Sequence, residues 1–303
     1  MSGVAPLRTW AEMVKLSHSV FALPFALLAA FLAGRSIEGR GFPYWGQLGL
    51  ILVCMVSARS VAMTFNRIVD AAIDGRNPRT SSRPLPAGRL SASAAWVMLG
   101  LSAVTFGLGC LGFRLFFENV WPFVLSGPVL LFLGGYSFTK RFTKWSHFYL
   151  GVALSLSPLA AWIAISPTSL GWEVLVLMSA VALWVGGFDI IYSCQDIDID
   201  RREGLYSLPS RLGPDAALWI ARSSHALAVV AFIAIGRVYH LGMLYALGVA
   251  MVAVLLVVEN SLVRPGDYSK VNVAFFTING VVSLMLGGLA IIDILVALPS
   301  VAT

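Results

Sequence analysis

Two acidic clusters fall where acids are expensive. The first is Asn66-Arg67-Ile68-Val69-Asp70-Ala71-Ala72-Ile73-Asp74 and the second is Asp196-Ile197-Asp198-Ile199-Asp200. Each closes a long apolar run and each is followed by arginines. Ionisable groups at membrane depth mark function by default, because lipid gives them no solvation. Asn66, Asp70 and Asp74 recur every fourth residue, which lines their oxygens along one slowly drifting face of a helix. Asp196 and Asp200 repeat the spacing, while Asp198 falls about 200° round and is either a solvated residue or, in an unwound end, a ligand. Such oxygen donors suit Mg²⁺, which completes its shell with water and phosphate oxygens. Two clusters facing each other would trap a diphosphate. The ordinary alternative, solvated acids at a helix end, has to account for two clusters in the same setting.

Further candidates lie around them. Arg59 precedes Asn66 by seven residues, two turns deeper on nearly the same face. Its planar fork suits a phosphate or a carboxylate. Asp189 stands in the same relation to Asp196. A lone carboxylate there is costly without a partner, so it orients an acceptor hydroxyl, takes its proton, or makes a hydrogen bond between helices. Tyr136 and Lys140 are spaced i, i+4, and Lys140 can neutralise a phosphate as a point charge. Arg141 and Lys144 are better explained by membrane topology, and Arg67 is placed off the cluster face, as a topology anchor. Cys54, Cys110 and Cys194 show no metal spacing and imply no disulfide framework. His18, His147, His225 and His240 show no zinc spacing.

The elements that must position these groups are membrane helices. Of 303 residues, 58% are hydrophobic and 12% charged, about half the charge of soluble domains at roughly 25%. Nine runs meet the length of about 20 apolar residues that a span requires, near 16–34, 45–65, 92–113, 119–138, 147–166, 173–194, 215–235, 240–258 and 271–296. Helices follow, because lipid cannot satisfy an open strand edge. The expectation is one domain over 1–303 with an uncleaved first span. The net charge of +6 does not point to nucleic acid, because it is distributed by side. With the N-terminus in the cytoplasm, Arg35, Arg40, Arg114 and Arg237 fall in outer loops, Arg59 and Arg222 fall within spans, and the remaining Lys and Arg residues are cytoplasmic. Both acidic clusters and Lys140 then face the cytoplasm, and the C-terminus lies outside. The segment Gly75–Leu90, with Pro78, Pro84, Pro86 and four arginines, is read as a short cap over the site. A transporter would also carry charges at depth, but its sites sit near the midplane on broken helices. Here the acids gather at one interface.

NRIVDAAID (66–74), YSFTK (136–140) and DIDID (196–200) stand in order, each at an expected cytoplasmic helix end. Around them are HSVFALPFAL (18–27), GRNPRTSSRPLPAG (75–88) and GGFDIIYSCQDIDIDRREGLYSLPSRLG (186–213). Through these motifs the chain resembles the UbiA superfamily of intramembrane aromatic prenyltransferases over nearly its full length. The wording is most similar to bacterial 4-hydroxybenzoate polyprenyltransferases, and especially to the subgroup assigned to menaquinone synthesis by the futalosine route. A CDP-alcohol phosphotransferase would need a DxxDG start, and Asp70 to Asp74-Gly75 has one residue too many. The resemblance implies nine transmembrane helices around a central cavity in the inner membrane. It implies that Asn66, Asp70, Asp74, Asp196 and Asp200 hold Mg²⁺ and diphosphate, that Tyr136 and Lys140 form the YxxxK element, and that Asp189 lies near the acceptor. Asn66-Arg67 departs from the Asn-Asp of some members, which removes one potential ligand. The implied substrates are a polyprenyl diphosphate and an aromatic acid, with attack by the ring carbon ortho to the hydroxyl.

Overall fold

The structure, a computed structural model, describes residues 4–14, 21–37 and 41–297. Lys15, His18, Arg40 and Thr303, to which the sequence analysis assigned sides or motifs, lie outside them. Among the described residues the chain is helical between its turns, with only the isolated bridge Arg264–Asp267 in extended pairing. The helices are α1 (Val4–Val14), α2 (Leu23–Gly34), α3 (Trp45–Val69), α4 (Ala71–Arg76), α5 (Ala92–Phe117), α6 (Trp121–Thr139), α7 (Ser146–Ile165), α8 (Glu173–Ser193), α9 (Ile197–Arg202), α10 (Leu208–Leu212), α11 (Pro214–Val238), α12 (Met243–Leu262) and α13 (Asn279–Ala297).

Eight segments are long and apolar enough to cross a membrane: α3, α5, α6, α7, Glu173–Arg202, α11, α12 and Val273–Ala297. Each coincides with an expected run. Of the first expected run, 16–34, residues 16–20 lie outside the described residues, and Leu23–Gly34 forms the 12-residue α2. That helix is apolar all round, as befits an element wrapped by others on every side. Pro24, Phe25, Ala26, Leu28, Ala29 and Ala30 are all buried, against α7, α13 and α3. At the centre of the bundle stands α8, whose Leu177, Val181, Trp184, Val185 and Phe188 are buried. Glycines let the helices close. A Cβ on Gly151 of α7 would overlap the Ala182 carbonyl of α8, and one on Gly287 of α13 would meet Pro24 of α2. Small residues at crossings are the usual means of tight packing between membrane helices.

Both acidic clusters sit on breaks rather than on continuous helices. α3 ends at Val69, Asp70 adopts φ −96° and ψ 4°, and α4 carries Asp74. α8 ends at Ser193, a 3₁₀ turn covers Cys194–Asp196, and α9 follows. This corrects the picture of acids on one unbroken face. On a straight helix the i, i+4 row drifts by about 40° each step, and the breaks re-aim Asp74 and Asp200 toward the same cavity. α13 is preceded by a π-helical turn, Val273–Ile278.

Candidate active site

A cavity of about 520 Å³ opens among the ends of α3, α6 and α8 and the segment that follows α4. Arg59, Asn66, Asp70, Asp74, Tyr136, Lys140, Asp189, Asp196 and Asp200 all line it. The structure therefore gathers every site residue expected from the sequence, drawn from three separate spans, into one space. Asp198 is exposed, which accords with the solvated reading of the two.

The carboxylates are held by arginines. Arg79 forks onto Asp196, with Nε to Oδ1 at 3.0 Å and Nη2 to Oδ2 at 2.7 Å. Arg83 Nη1 donates to both oxygens of Asp74 at 2.6 and 2.7 Å. Arg141 Nη2 donates to Asp70 Oδ1 at 3.2 Å and to the Val69 carbonyl at 3.1 Å, so its role is local as well as topological. Asn66 Nδ2 donates to Asp70 Oδ2 at 2.8 Å. Arg79 and Arg83 belong to the proline-rich segment after α4, which is thereby tied over the cavity as the expected cap. Arg67 is corrected: it lines the cavity and its Nη1 donates to Asn66 Oδ1 at 3.2 Å, rather than pointing away. Asp200 Oδ2 is buried without a hydrogen-bond partner. Burial alone would lower the Lys140 pKa, but Asp200, Asp189 and Asp196 among its neighbours outweigh it and raise it above the usual lysine range. Lys140 is thus held as a cation facing the acids.

Among the described residues no three His, Cys, Asp or Glu side chains converge into a self-sufficient metal cage. Mg²⁺ does not require one, since it is commonly held by one or two carboxylates with water and substrate phosphate supplying the rest. The unpartnered Asp200 oxygen, with Asn66, Asp70, Asp74 and Asp196 lining the same space, fits that donor chemistry.

On the α8 side, Asp189 meets His147 of α7: Nδ1 lies 2.7 Å from Asp189 Oδ2. The backbone N–H of Leu208 donates to His147 Nε2 at 3.3 Å. Sequence reasoning set His147 aside for want of zinc spacing. The signal that could have found it was Asp189 itself, a carboxylate at depth that needed a donor.

Beyond the charged residues the walls become apolar. Phe21, Phe188, Tyr192, Phe275 and Phe276 line one side of the cavity. The rings of Tyr192 and Phe275 lie 4.2 Å apart between centroids. Phe275 and Phe276 sit on the π-helical turn, whose Ala274 and Phe275 carbonyls accept from Asn279 Nδ2 at 3.1 and 3.3 Å. On the other side a second cleft of about 260 Å³ runs between α3, α5, α6 and α7. Arg59, Met63, Asn66, Tyr136, Leu150 and Leu154 belong to both spaces. Cys54 and Cys110, far apart in sequence, line the second cleft with their sulfurs 3.8 Å apart, and both are free thiols.

The chain is similar in sequence to curated relatives and in fold to solved structures. A 4-hydroxybenzoate octaprenyltransferase from Vibrio vulnificus is 30% identical over 266 residues, covering 86% of this chain and 89% of the relative. One from Pseudomonas aeruginosa is 28% identical over 263 residues, covering 86% of each. Among solved structures, a UbiA homologue from Aeropyrum pernix K1 superposes with a TM-score of 0.81 at 32% identity, over 92% of this chain and 98% of that one. A UbiA homologue from Archaeoglobus fulgidus bound to GPP and Mg²⁺ shares the fold, with a TM-score of 0.71 at 16% identity over 94% and 99% of the two chains. The family model of UbiA prenyltransferases matches residues 22–281. That match spans both acidic clusters, the Tyr136–Lys140 element and the residues of the apolar cleft, and the chain belongs to the UbiA prenyltransferase family.

Proposed function

We propose that the chain transfers a polyprenyl group from a polyprenyl diphosphate to an aromatic acid, 4-hydroxybenzoate, in ubiquinone-type quinone biosynthesis. The observation that carries this reading is the junction of two unlike spaces. A cavity lined by acids, arginines and Lys140 shares six residues with an almost wholly apolar cleft. A ligand with a multiply charged head and a long hydrocarbon tail fits that pair. The relatives' names supply the aromatic acid. The membrane is the bacterial inner membrane, with the charged cavity on its cytoplasmic side, in keeping with the distribution of Lys and Arg.

The chemistry follows from charge. Lys140 and the arginines that now grip the carboxylates provide cations for the diphosphate oxygens. Mg²⁺, held by Asn66, Asp70, Asp74, Asp196 and Asp200, would neutralise charge that develops on the departing diphosphate. Preorganised charge of this kind is where most of the rate enhancement arises in such sites. The allylic C–O bond breaks with its electron pair going to the diphosphate. The cationic allyl fragment would meet the wall formed by Phe188, Tyr192, Phe275 and Phe276, whose packed rings keep that side of the cavity apolar. The ring carbon ortho to the hydroxyl forms the new C–C bond, and its proton passes to Asp189. Arg59, half-buried and with its buried Nε unpartnered, would receive the acceptor carboxylate.

Purified protein in lipid nanodiscs, supplied with Mg²⁺, a polyprenyl diphosphate and either 4-hydroxybenzoate or a dihydroxynaphthoate, tests the reading by product mass. The expected product is prenylated 4-hydroxybenzoate. A prenylated naphthoate alone would replace the acceptor, and no prenylated aromatic product would overturn the reading.

A further inference from the structure

We propose that His147 is a positioning residue for the acceptor subsite: it fixes Asp189 in one orientation and leaves one carboxylate oxygen to receive a phenolic hydroxyl. The inference rests on the aromatic-transfer reading above. His147 is fully buried in the first turn of α7, and Asp189 lines the cavity from α8 with 9% of its surface exposed. The imidazole has two nitrogens and the structure gives each a task. Leu208 N–H points at Nε2, and an N–H needs a lone pair there. The proton of a neutral imidazole is therefore on Nδ1, where it donates to Asp189 Oδ2 at 2.7 Å. Among the described residues no donor meets Asp189 Oδ1, which leaves that oxygen to the cavity.

A carboxylate tied at one oxygen cannot rotate freely, so the other oxygen marks a fixed point in space. A hydroxyl bound at that point sets the rotation of its ring, and with it which ring carbon faces the prenyl donor. Orientation of this kind accounts for a large part of catalysis between two bound reactants. The segment that locks the imidazole also reaches the diphosphate side. Tyr206 N–H donates to the Lys140 carbonyl at 2.7 Å, two residues before Leu208 holds His147. Between them, Ser207 caps α10 in a reciprocal box with Ser210, which stiffens the segment. One short stretch of backbone thus sets the spacing between the cation that meets the diphosphate and the dyad that meets the acceptor.

The test has two arms. The chain holds 4 histidines, so ¹⁵N-histidine labelling of the enzyme in nanodiscs gives a tractable NMR spectrum, with His147 assigned by its loss in His147→Asn. The expected ring carries its proton on Nδ1 and leaves Nε2 as the acceptor for Leu208 N–H. A ring protonated at Nε2, or at both nitrogens, would overturn the proposal. In the kinetic arm, His147→Leu should raise the KM for the aromatic acceptor by about tenfold or more and leave the KM for polyprenyl diphosphate within about twofold, the pattern of an interaction made with one substrate. His147→Asn keeps an N–H donor near the Nδ1 position and should recover most of the loss. Equal damage in the two variants, or equal rises in both KM values, would make His147 a packing residue. If His147→Leu fails to fold, His147→Asn and the NMR arm still decide. Wild-type protein that makes no prenylated phenol while showing the Nδ1 proton would overturn the activity and not the dyad.

Discussion

Asp70 shows the tension between stability and chemistry within a single residue. Burial pushes its pKa above the ordinary 3.8, and the hydrogen bond from Arg141 opposes this only in part. Between the ordinary value and the raised one the folded chain binds more protons than the unfolded chain. Stability from this group therefore falls as pH rises through that window, and at neutral pH the ionised carboxylate is a net cost. Asp70→Asn keeps the hydrogen-bonding shape and removes the charge. It should raise the thermal midpoint at neutral pH, with the gain shrinking in acid, and lower turnover by about a hundredfold or more, as for other losses of preorganised charge. Thermal unfolding in detergent at several pH values, beside an activity assay, checks both. A lowered midpoint at neutral pH would show that Asp70 stabilises the fold instead. Arg79–Asp196 and Arg83–Asp74 pair two further acids with cations across the cavity.

Among the elements, α3 joins the two halves of the site. Its last turn carries Asn66, its middle carries Arg59, and Cys54 and Ile51 continue down the apolar cleft. At 1.5 Å per residue, Cys54 lies about 18 Å from Asn66 along the helix axis. Bulk at Cys54 should therefore obstruct the far part of a tail and spare its head. Cys54→Trp is expected to lower kcat/KM for a long-chain polyprenyl diphosphate by about tenfold or more and to leave a two-isoprene diphosphate within about twofold, a loss confined to contacts with the tail. Equal losses for both chain lengths would show that the tail takes another route. The π-helical turn before α13 plays the corresponding part on the opposite wall. Asn279 satisfies two of its carbonyls and also bridges Glu259 Oε1 and Trp184 Nε1, at 2.8 and 2.7 Å. π-turns inside helices recur at functional sites, and this one carries Phe275 and Phe276 to the cavity.

For the whole molecule, the asymmetry of charge predicts orientation. Both acidic clusters, Lys140 and residues of the segment from Gly75 to Leu90 line one cavity, and Arg67, Arg79, Arg83, Arg89 and Arg141 lie with them. Fusions of a reporter active only in the cytoplasm should score positive at Gly88 and Arg211 and negative at the C-terminus. Positive signals at all three sites would mean an even number of crossings and would remove one span from the expected nine. The eight long segments and α2 are compatible with the odd number.

The amino-acid order by itself determined the helical membrane class and the end of the bundle at which the acids gather. Run length, apolarity and the period of 3.6 are local properties, and lipid permits little else. It also placed the nine candidate residues at or within two turns of the ends of apolar runs, a local property that holds although the i, i+4 rows are broken at Asp70 and at Cys194–Asp196. What only the tertiary structure decided are the pairings across elements. Arg79 and Asp196 are 117 residues apart, and His147 and Asp189 are 42 apart; no local rule links them. The breaks at Asp70 and Cys194–Asp196, the inward turn of Arg67 and the meeting of Cys54 with Cys110 likewise depend on how helices pack. So does the union of a charged cavity with an apolar cleft, since each wall comes from a different span and the shared lining exists only once α3, α6 and α7 stand side by side.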